Sequence, residues 1–297
     1  MITLQADELR VLAQYIYTLC GVHLDESKGY LLESRLANLL AATACGSFSE
    51  LYLKARADPT QTLPRKIVDA VTTGETSFFR DAAPFELLQH KLLPELIDRR
   101  KKSTPPGQPL PVRIWSAACS TGQEVYTIAI VLKELLGDLR PYAIRLLGTD
   151  ISDQAVAAAS YGVYNSVEIQ RGLAQSRLER YFTRAGSGWK ISDELRALAT
   201  FKTVNLMGDF AALGRFDIVF CRNVAIYFTE TDKVRLFTRL ESALEPDGAL
   251  MIGSTESLAG LCPQFEALRY LRSVYYRLRQ AGDSGLQGSR AIPKRDL

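Results

Sequence analysis

The beginning of the chain is patterned for helices. Leu9, Leu12, Ile16 and Leu19 recur at helical spacing, as do Leu32, Leu36, Leu39 and Leu40. After a break at Asp58-Pro59 a third series runs through Leu63, Ile67 and Val71. The spacing predicts a separate all-α domain over residues 1–80. A further helix over 84–98 ends in Arg99-Arg100-Lys101-Lys102, read as a solvated terminus whose cations complement the helix dipole. Residues 103–111, rich in Pro and Gly, read as a loop and complete a linker over 81–111.

From Val112 the period changes. Short continuous apolar runs, the signature of strands buried on both faces, alternate with amphipathic stretches. Val112–Trp115, Ile144–Leu147, Phe201–Leu206, Phe216–Cys221 and Ala249–Gly253 read as strands. Between them, Val125, Ile128, Ala129 and Leu132 mark one helix. Ser152-Asp153 caps a second through Ala155–Ser160, and Thr229–Leu244 is a third. Glu245-Pro246-Asp247-Gly248 reads as a turn, and Phe265–Leu268 with Val274–Leu278 as a hairpin at the sheet edge. The whole predicts an α/β domain over 112–279 built on a doubly wound sheet. Residues 161–199 interrupt the alternation: Arg177–Phe182 looks helical and Ser187–Ile191 a turn entering a strand, so an inserted subdomain or a long excursion is expected. From residue 280, Gly, Ser and charge dominate, and the tail 280–297 is expected to be disordered.

Composition narrows the function. With 297 residues the chain can bury a good core, and a net charge of +3 is too small to argue for nucleic acid or membrane. No run approaches the ~18 apolar residues of a membrane span, and the N-terminus carries Asp7 and Glu8 without a signal-like apolar stretch. The cysteines are scattered with no CxxC pair, as in a reduced cytoplasmic protein. His23 and His90 stand far apart, which disfavours a histidine metal site or a Ser/His/Asp triad; no metal is expected.

The candidate chemistry centres on Val112–Val131. A strand, a small-residue turn at Ser116–Gly122 and a following helix form the opening unit of a nucleotide-binding sheet. Neither GxxxxGKS/T nor GxGxxG is present, and Glu124 would repel a pyrophosphate but suit a cation. That points to S-adenosylmethionine, whose sulfonium and amino groups are positive; the alternative is an ordinary βα turn. Asp150, at the end of the second strand, is placed to accept both ribose hydroxyls, or else to cap the next helix. Asn205 and Leu206 end the third strand and suit an adenine edge and face, or a turn. After the fourth strand, Asn223 can meet the donor's amino group and Tyr227 can wall the transfer channel, unless the segment merely packs. Arg80, beside Phe78 and Phe79, suits a bidentate carboxylate contact; its alternative is a surface salt bridge with Asp81 or Glu86.

Six stretches, TTGETSFFRD, RIWSAACSTGQEVYTIA, LLGTDIS, VNL, FDIVFCRNVAIYF and EPDGALMIGSTES, together resemble the CheR-type chemotaxis receptor methyltransferases, in the right order over roughly residues 5–278. The resemblance implies a class I AdoMet-dependent methyltransferase fold (a Rossmann-like seven-stranded sheet), an N-terminal all-α domain and a small inserted β-subdomain. It implies transfer of methyl from S-adenosylmethionine to glutamate side chains on the cytoplasmic helices of chemoreceptors. It also implies a cofactor site of Thr76, Arg80, Glu124, Asp150, Asn205, Leu206, Arg222 and Asn223, with Arg80 and Tyr227 nearest the reacting groups. Gly74 and Gln123 depart from residues common in the family, so no side-chain role passes to them. In some relatives the subdomain grips a receptor's C-terminal pentapeptide; here its turn at Gly186–Gly188 is short, which weighs against such a tether. Two rival readings remain, a methyltransferase for another substrate class and a module that senses the cofactor without transfer.

Overall fold

The computed structural model describes residues 2–279; the expectation for 280–297 lies outside the described residues. Four helices come first: α1 (Ala6–Cys20), α2 (Gly29–Ala42), α3 (Phe48–Ala57) and α4 (Thr62–Val71). The apolar stripes read from the sequence meet, and Leu12, Ile16, Leu32, Leu36, Phe48, Leu51 and Ile67 form a buried core of their own. Glu8 ties two helix starts together by accepting from the Gln5 amide at 3.1 Å and the Ser49 amide at 2.8 Å.

The next helical stretch is longer than expected. It runs from α5 (Ala83–Leu87) through a π-helical turn, Leu88–Leu92, into α6 (Leu93–Ser103). The wide turn immediately precedes Pro94, which has no amide to give the preceding turn. The basic run lies within α6, and it is not only a solvated end. Arg99 reaches Asp247 at 2.7 Å, and Arg100 pairs with the buried Asp217.

Strands and helices then alternate: β1 (Leu110–Ala117), α7 (Gln123–Leu136), β2 (Tyr142–Asp150) and α8 (Asp153–Tyr161). The insertion contains β3 (Val163–Tyr164), α9 (Ser166–Gln170), α10 (Gln175–Tyr181), β4 (Phe182–Ala185), β5 (Gly188–Ile191) and α11 (Asp193–Arg196). The chain returns through β6 (Ala199–Thr203), β7 (Phe216–Cys221), α12 (Glu230–Ala243), β8 (Leu244–Ile252), β9 (Phe265–Tyr270) and β10 (Ser273–Leu278). Seven strands form one sheet in the order β6-β2-β1-β7-β8-β10-β9, with β10 antiparallel to β8 and β9. The expected seven-stranded α/β sheet is therefore present, and the insertion adds its own small antiparallel sheet, β3-β5-β4. Strand order reverses between β1 and β7, which opens a crevice at the carboxyl ends of those strands.

Two local expectations change. The third strand stops at Thr203, because Asn205 starts a turn instead: its side chain accepts from the Met207 amide at 2.9 Å, and its carbonyl accepts from the Gly208 amide at 2.9 Å. The Glu245–Gly248 turn sits inside β8. Phe216 pairs with Leu244 and Ile218 with Ala249, so residues 245–248 bulge opposite Asp217 while pairing resumes on either side.

Candidate functional site

The turn after β1 brings backbone close to the crevice. Ala118, Ser120 and Gly122 all have positive φ, at 59°, 51° and 93°. Gly122 also packs against α8, where a Cβ would lie 2.9 Å from the Ala159 Cβ. The turn is pinned to the end of β2, since the Ser120 amide donates to Asp150 Oδ2 at 2.8 Å and the Ser152 amide to Oδ1 at 3.0 Å. Burial pushes the Asp150 carboxyl up from its ordinary value, against the downward pull of those two amides. The cap of α8 is Ser152, not Asp150: its hydroxyl accepts from the Ala155 amide at 3.1 Å and donates to Asp69 of α4 at 2.6 Å. Asp150 is therefore held in place by backbone amides and is not spent on capping the helix.

Glu124, on the first turn of α7, is not a free charge. It accepts from the Ser116 hydroxyl at 2.8 Å and from Arg222 Nη1 at 2.8 Å. Arg222, whose side chain is 2% exposed, also bonds Asp81 at 2.9 Å and the Arg80 carbonyl at 3.0 Å. Two carboxylates around one guanidinium leave this cluster net negative. The same guanidinium ties the Phe78–Asp81 turn to the sheet rim.

That turn is strained and held from several sides. Phe79 and Asp81 take left-handed φ of 51° and 53°, conformations that cost about 1–3 kcal/mol each and persist only where the surroundings enforce them. Phe78 is fully buried, edge-on to Tyr164 and Phe182 of the insertion with ring centroids 5.0 and 5.5 Å away. The Phe79 amide donates to Thr127 Oγ1 at 3.1 Å, and the Arg177 guanidinium lies 4.0 Å from the centre of the Phe79 ring. Between these anchors stands Arg80. It donates to the Glu75 carbonyl at 2.8 Å and, among the described residues, has no carboxylate within 4.0 Å. The salt bridge expected with Asp81 or Glu86 does not form: Arg222 takes Asp81, and Glu86 lies beyond ion-pair distance of Arg80.

Asn223 follows β7 with φ 58°, in the left-handed region that asparagine tolerates, and its amide donates to Glu256 Oε2 at 2.8 Å. Tyr227 closes a 3-10 turn, and its carbonyl accepts from the His23 amide at 2.9 Å. The Asn205 amide is engaged within the protein, giving a hydrogen to the Leu19 carbonyl at 2.8 Å besides accepting from Met207. One cavity on the rim is lined by Thr76, Arg80, Glu124, Asp150, Asn205, Leu206, Arg222, Asn223 and Tyr227. The structure therefore gathers every singled-out residue around one space.

Comparison with known proteins places these residues in a family. Residues 74–273 match the CheR methyltransferase SAM-binding domain, and residues 7–72 match the CheR methyltransferase all-alpha domain. The chain belongs to the CheR methyltransferase family. It is 40% identical to chemotaxis protein methyltransferase Cher2 of Pseudomonas putida, over 88% of this chain and 94% of that one. It is 38% identical to a chemotaxis protein methyltransferase of Vibrio parahaemolyticus, over 94% of this chain and 99% of that one. It is also 38% identical to chemotaxis protein methyltransferase 1 of Pseudomonas aeruginosa, over 88% and 93%.

The CheR family is a family of S-adenosylmethionine-binding methyltransferases, and the cavity suits that donor. Half-buried Asp150 and the net-negative cluster around Arg222 favour a cation and disfavour a pyrophosphate, and among the described residues the β1–α7 turn has neither phosphate-gripping pattern. Among the described residues no group of three His, Cys, Asp or Glu side chains is placed to hold a metal ion, and no helix is long and apolar enough to cross a membrane. Sequence reasoning missed one wall of the cavity. Cys20, Val22, His23, Leu31 and Arg35, from the end of α1 and one stripe of α2, line it as well. The only local signal was the i, i+3, i+7 stripe of Lys28, Leu31 and Arg35, which is indistinguishable from a solvated helix face until the helices dock.

Proposed function

We propose that this chain transfers methyl from S-adenosylmethionine to glutamate side-chain carboxylates of chemoreceptors, acting from the cytoplasm on their helical domain. The observation that carries the reading is Arg80, a cavity cation that no carboxylate among the described residues neutralises while the acid next to it in sequence is drawn to Arg222. Charge in the cavity is divided. Asp150 and Glu124 line the sheet side, where Arg222 is already paired with Glu124 and with Asp81 behind it; Arg80 and Arg35, which have no carboxylate within 4.0 Å among the described residues, line the side of the helical module, where Glu75 is taken by Arg171. A positive donor and an anionic acceptor match that division. The names of the relatives supply the chemotaxis context.

When bound, S-adenosylmethionine supplies an electrophilic methyl group on a positive sulfur. Asp150 accepts the ribose hydroxyls, Leu206 covers the adenine, and Asn223 receives the amino group. Thr76, Glu124, Asn205 and Arg222 complete the wall. Arg80 orients the substrate carboxylate, and Tyr227 closes the channel around it. A carboxylate is ionised at neutral pH, so no residue has to act as general base. Catalysis comes from holding two reactants in line and excluding water. Too tight a grip by Arg80 would stabilise the ground state and slow transfer. In this reading residues 1–80 form a domain that walls the cavity, 81–111 a linker and 112–279 the catalytic domain. The 161–199 insertion buttresses the Phe78–Asp81 turn, and no peptide tether is assigned to it.

Incubation with labelled S-adenosylmethionine and receptor-containing membranes tests the proposal. Label lost as methanol in base supports a glutamyl ester. A base-stable label points to another substrate class, and cofactor binding with no transfer points to a sensing module. Arg80→Ala is expected to lower turnover about 100-fold through lost positioning. Near-normal rates would remove Arg80 from the mechanism.

A further inference from the structure

The GSTES stretch after β8 has no role in the site as described so far, yet it touches the site from behind. β7 and β8 are parallel neighbours, with Cys221 opposite Ile252. The chain leaves both strands at the same level, into Asn223 on one side and Gly253 on the other. One oxygen of Glu256 spans them, since Oε2 accepts from the Asn223 amide at 2.8 Å and from the Gly253 amide at 2.6 Å. The Glu256 amide donates to the Gly253 carbonyl at 3.0 Å, which closes the Gly253–Glu256 turn and fixes the carboxylate beneath Asn223. There is no room for a side chain at residue 253. A Cβ there would lie 2.6 Å from Glu256 Oε2, 2.7 Å from Asn223 Nδ2 and 3.0 Å from the Asn223 amide nitrogen.

We propose that Glu256 is a positioning residue for methyl transfer, which sets the Arg222–Tyr227 segment so that Asn223 faces the donor and Tyr227 the reacting carboxylate. This rests on the function proposed above. Three features support it. Asn223 sits in a left-handed conformation, φ 58°, and its amide is held there by a charged acceptor, a stronger bond than a neutral oxygen makes. Among the described residues Glu256 has no cation within 4.0 Å, and its Oε1 is buried with no hydrogen-bond partner. A carboxylate oxygen buried without a partner costs stability, so a fold-only role would be better served by a neutral acceptor. Finally, the segment is short and stiff between the two functional side chains. The Tyr227 amide bonds the Val224 carbonyl at 3.1 Å, and the Tyr227 carbonyl is held by His23. A shift at Asn223 therefore carries to Tyr227.

The test compares full-length wild type with Glu256→Ala, Glu256→Gln and Gly253→Ala. Melting temperature, S-adenosylhomocysteine affinity by calorimetry, and kcat and KM on receptor membranes are measured for each. Glu256→Ala is expected to lower kcat about 100-fold, the scale of an ångström-size misplacement, and to weaken S-adenosylhomocysteine binding, with KM for the receptor little changed. Glu256→Gln keeps an acceptor oxygen and should recover most of both. Gly253→Ala keeps the Glu256 residue but pushes its carboxylate and Asn223 apart, and should reproduce the loss. The proposal is overturned if Glu256→Ala, or Gly253→Ala where Glu256→Ala does not fold, matches wild type in kcat and affinity per folded molecule whatever its melting temperature. A wild type that binds S-adenosylhomocysteine but methylates no receptor sinks the substrate assignment instead, and the affinity comparison still decides Glu256.

Discussion

The two ends of the sheet carry the same kind of charge cluster with opposite sign. At the carboxyl rim a buried cation, Arg222, lies between Glu124 and Asp81. At the base a buried anion, Asp217, whose side chain is 1% exposed, lies between Arg100 and Arg113, with Glu245 on the far side of Arg113 at 2.7 Å. Both clusters join distant segments: the first ties the Phe78–Asp81 turn to β7 and α7, the second ties α6 to β1, β7 and β8. The first lines the rim cavity through Glu124 and Arg222, because strand order reverses between β1 and β7 and the crevice opens at their carboxyl ends. Composition does not separate a functional charge cluster from a structural one; position on the sheet does.

Replacing the central residue of each cluster sharpens that contrast. Arg222→Met should have the largest effect. It strands Glu124 and Asp81, costs about 3–5 kcal/mol in denaturant unfolding, and abolishes methyl transfer because the Arg80 turn loses its tie. Asp217→Ala should lose about 3 kcal/mol for the same reason, yet keep wild-type turnover per folded molecule. If Asp217→Ala impairs transfer in folded protein, the base is not merely structural and the comparison fails.

Asp150→Asn acts on the rim alone. It should weaken S-adenosylhomocysteine binding about tenfold, the value of one charged hydrogen bond, and cost about 1–3 kcal/mol of stability, because one of the two backbone amides that Asp150 accepts from loses its acceptor. The sign of its pH dependence follows from the raised carboxyl. Wild-type affinity falls as pH drops and the carboxylate is protonated, beginning above the ordinary aspartate range, whereas the Asn variant is flat across that window. Equal slopes in calorimetry would show that Asp150 does not titrate against the ligand. The smallest effect is expected for Ser152→Ala, which removes the α8 cap and the link to Asp69. About 1 kcal/mol of stability should be lost, with a modest rise in KM for S-adenosylmethionine as Asp150 loosens.

Residues whose meaning is local were legible without coordinates. The apolar runs of β1, β2 and β7 announce strands buried on both faces, and the Ser116–Gly122 turn followed by Glu124 and Asp150 marks a rim whose ligand is positive. Even the helical series at Leu12, Ile16, Leu36 and Ile67 predicted a core that is present. The errors came where a residue's partner is remote or its neighbours compete for it. Asn205 was placed on a strand, but its side chain competes with the ladder and bonds Leu19, 186 positions away. Arg99 and Arg100 were assigned to solvent, since nothing near them in the chain hints at Asp247 or Asp217.

What the sequence determined by itself is the fold and the donor class, because periodicity and turn chemistry act over a few residues at a time; part of the rim came with the family resemblance, and the wall from α1 and α2 did not come at all. Only the tertiary structure decided which of the rim charges are free. Arg222 claims Asp81 from a distance of 141 positions, and Arg80 is left bonding a backbone carbonyl, with no carboxylate within 4.0 Å among the described residues. Long-range pairing depends on which surfaces dock, and docking brings α1 and α2 against the cavity, a contact no short window of sequence contains.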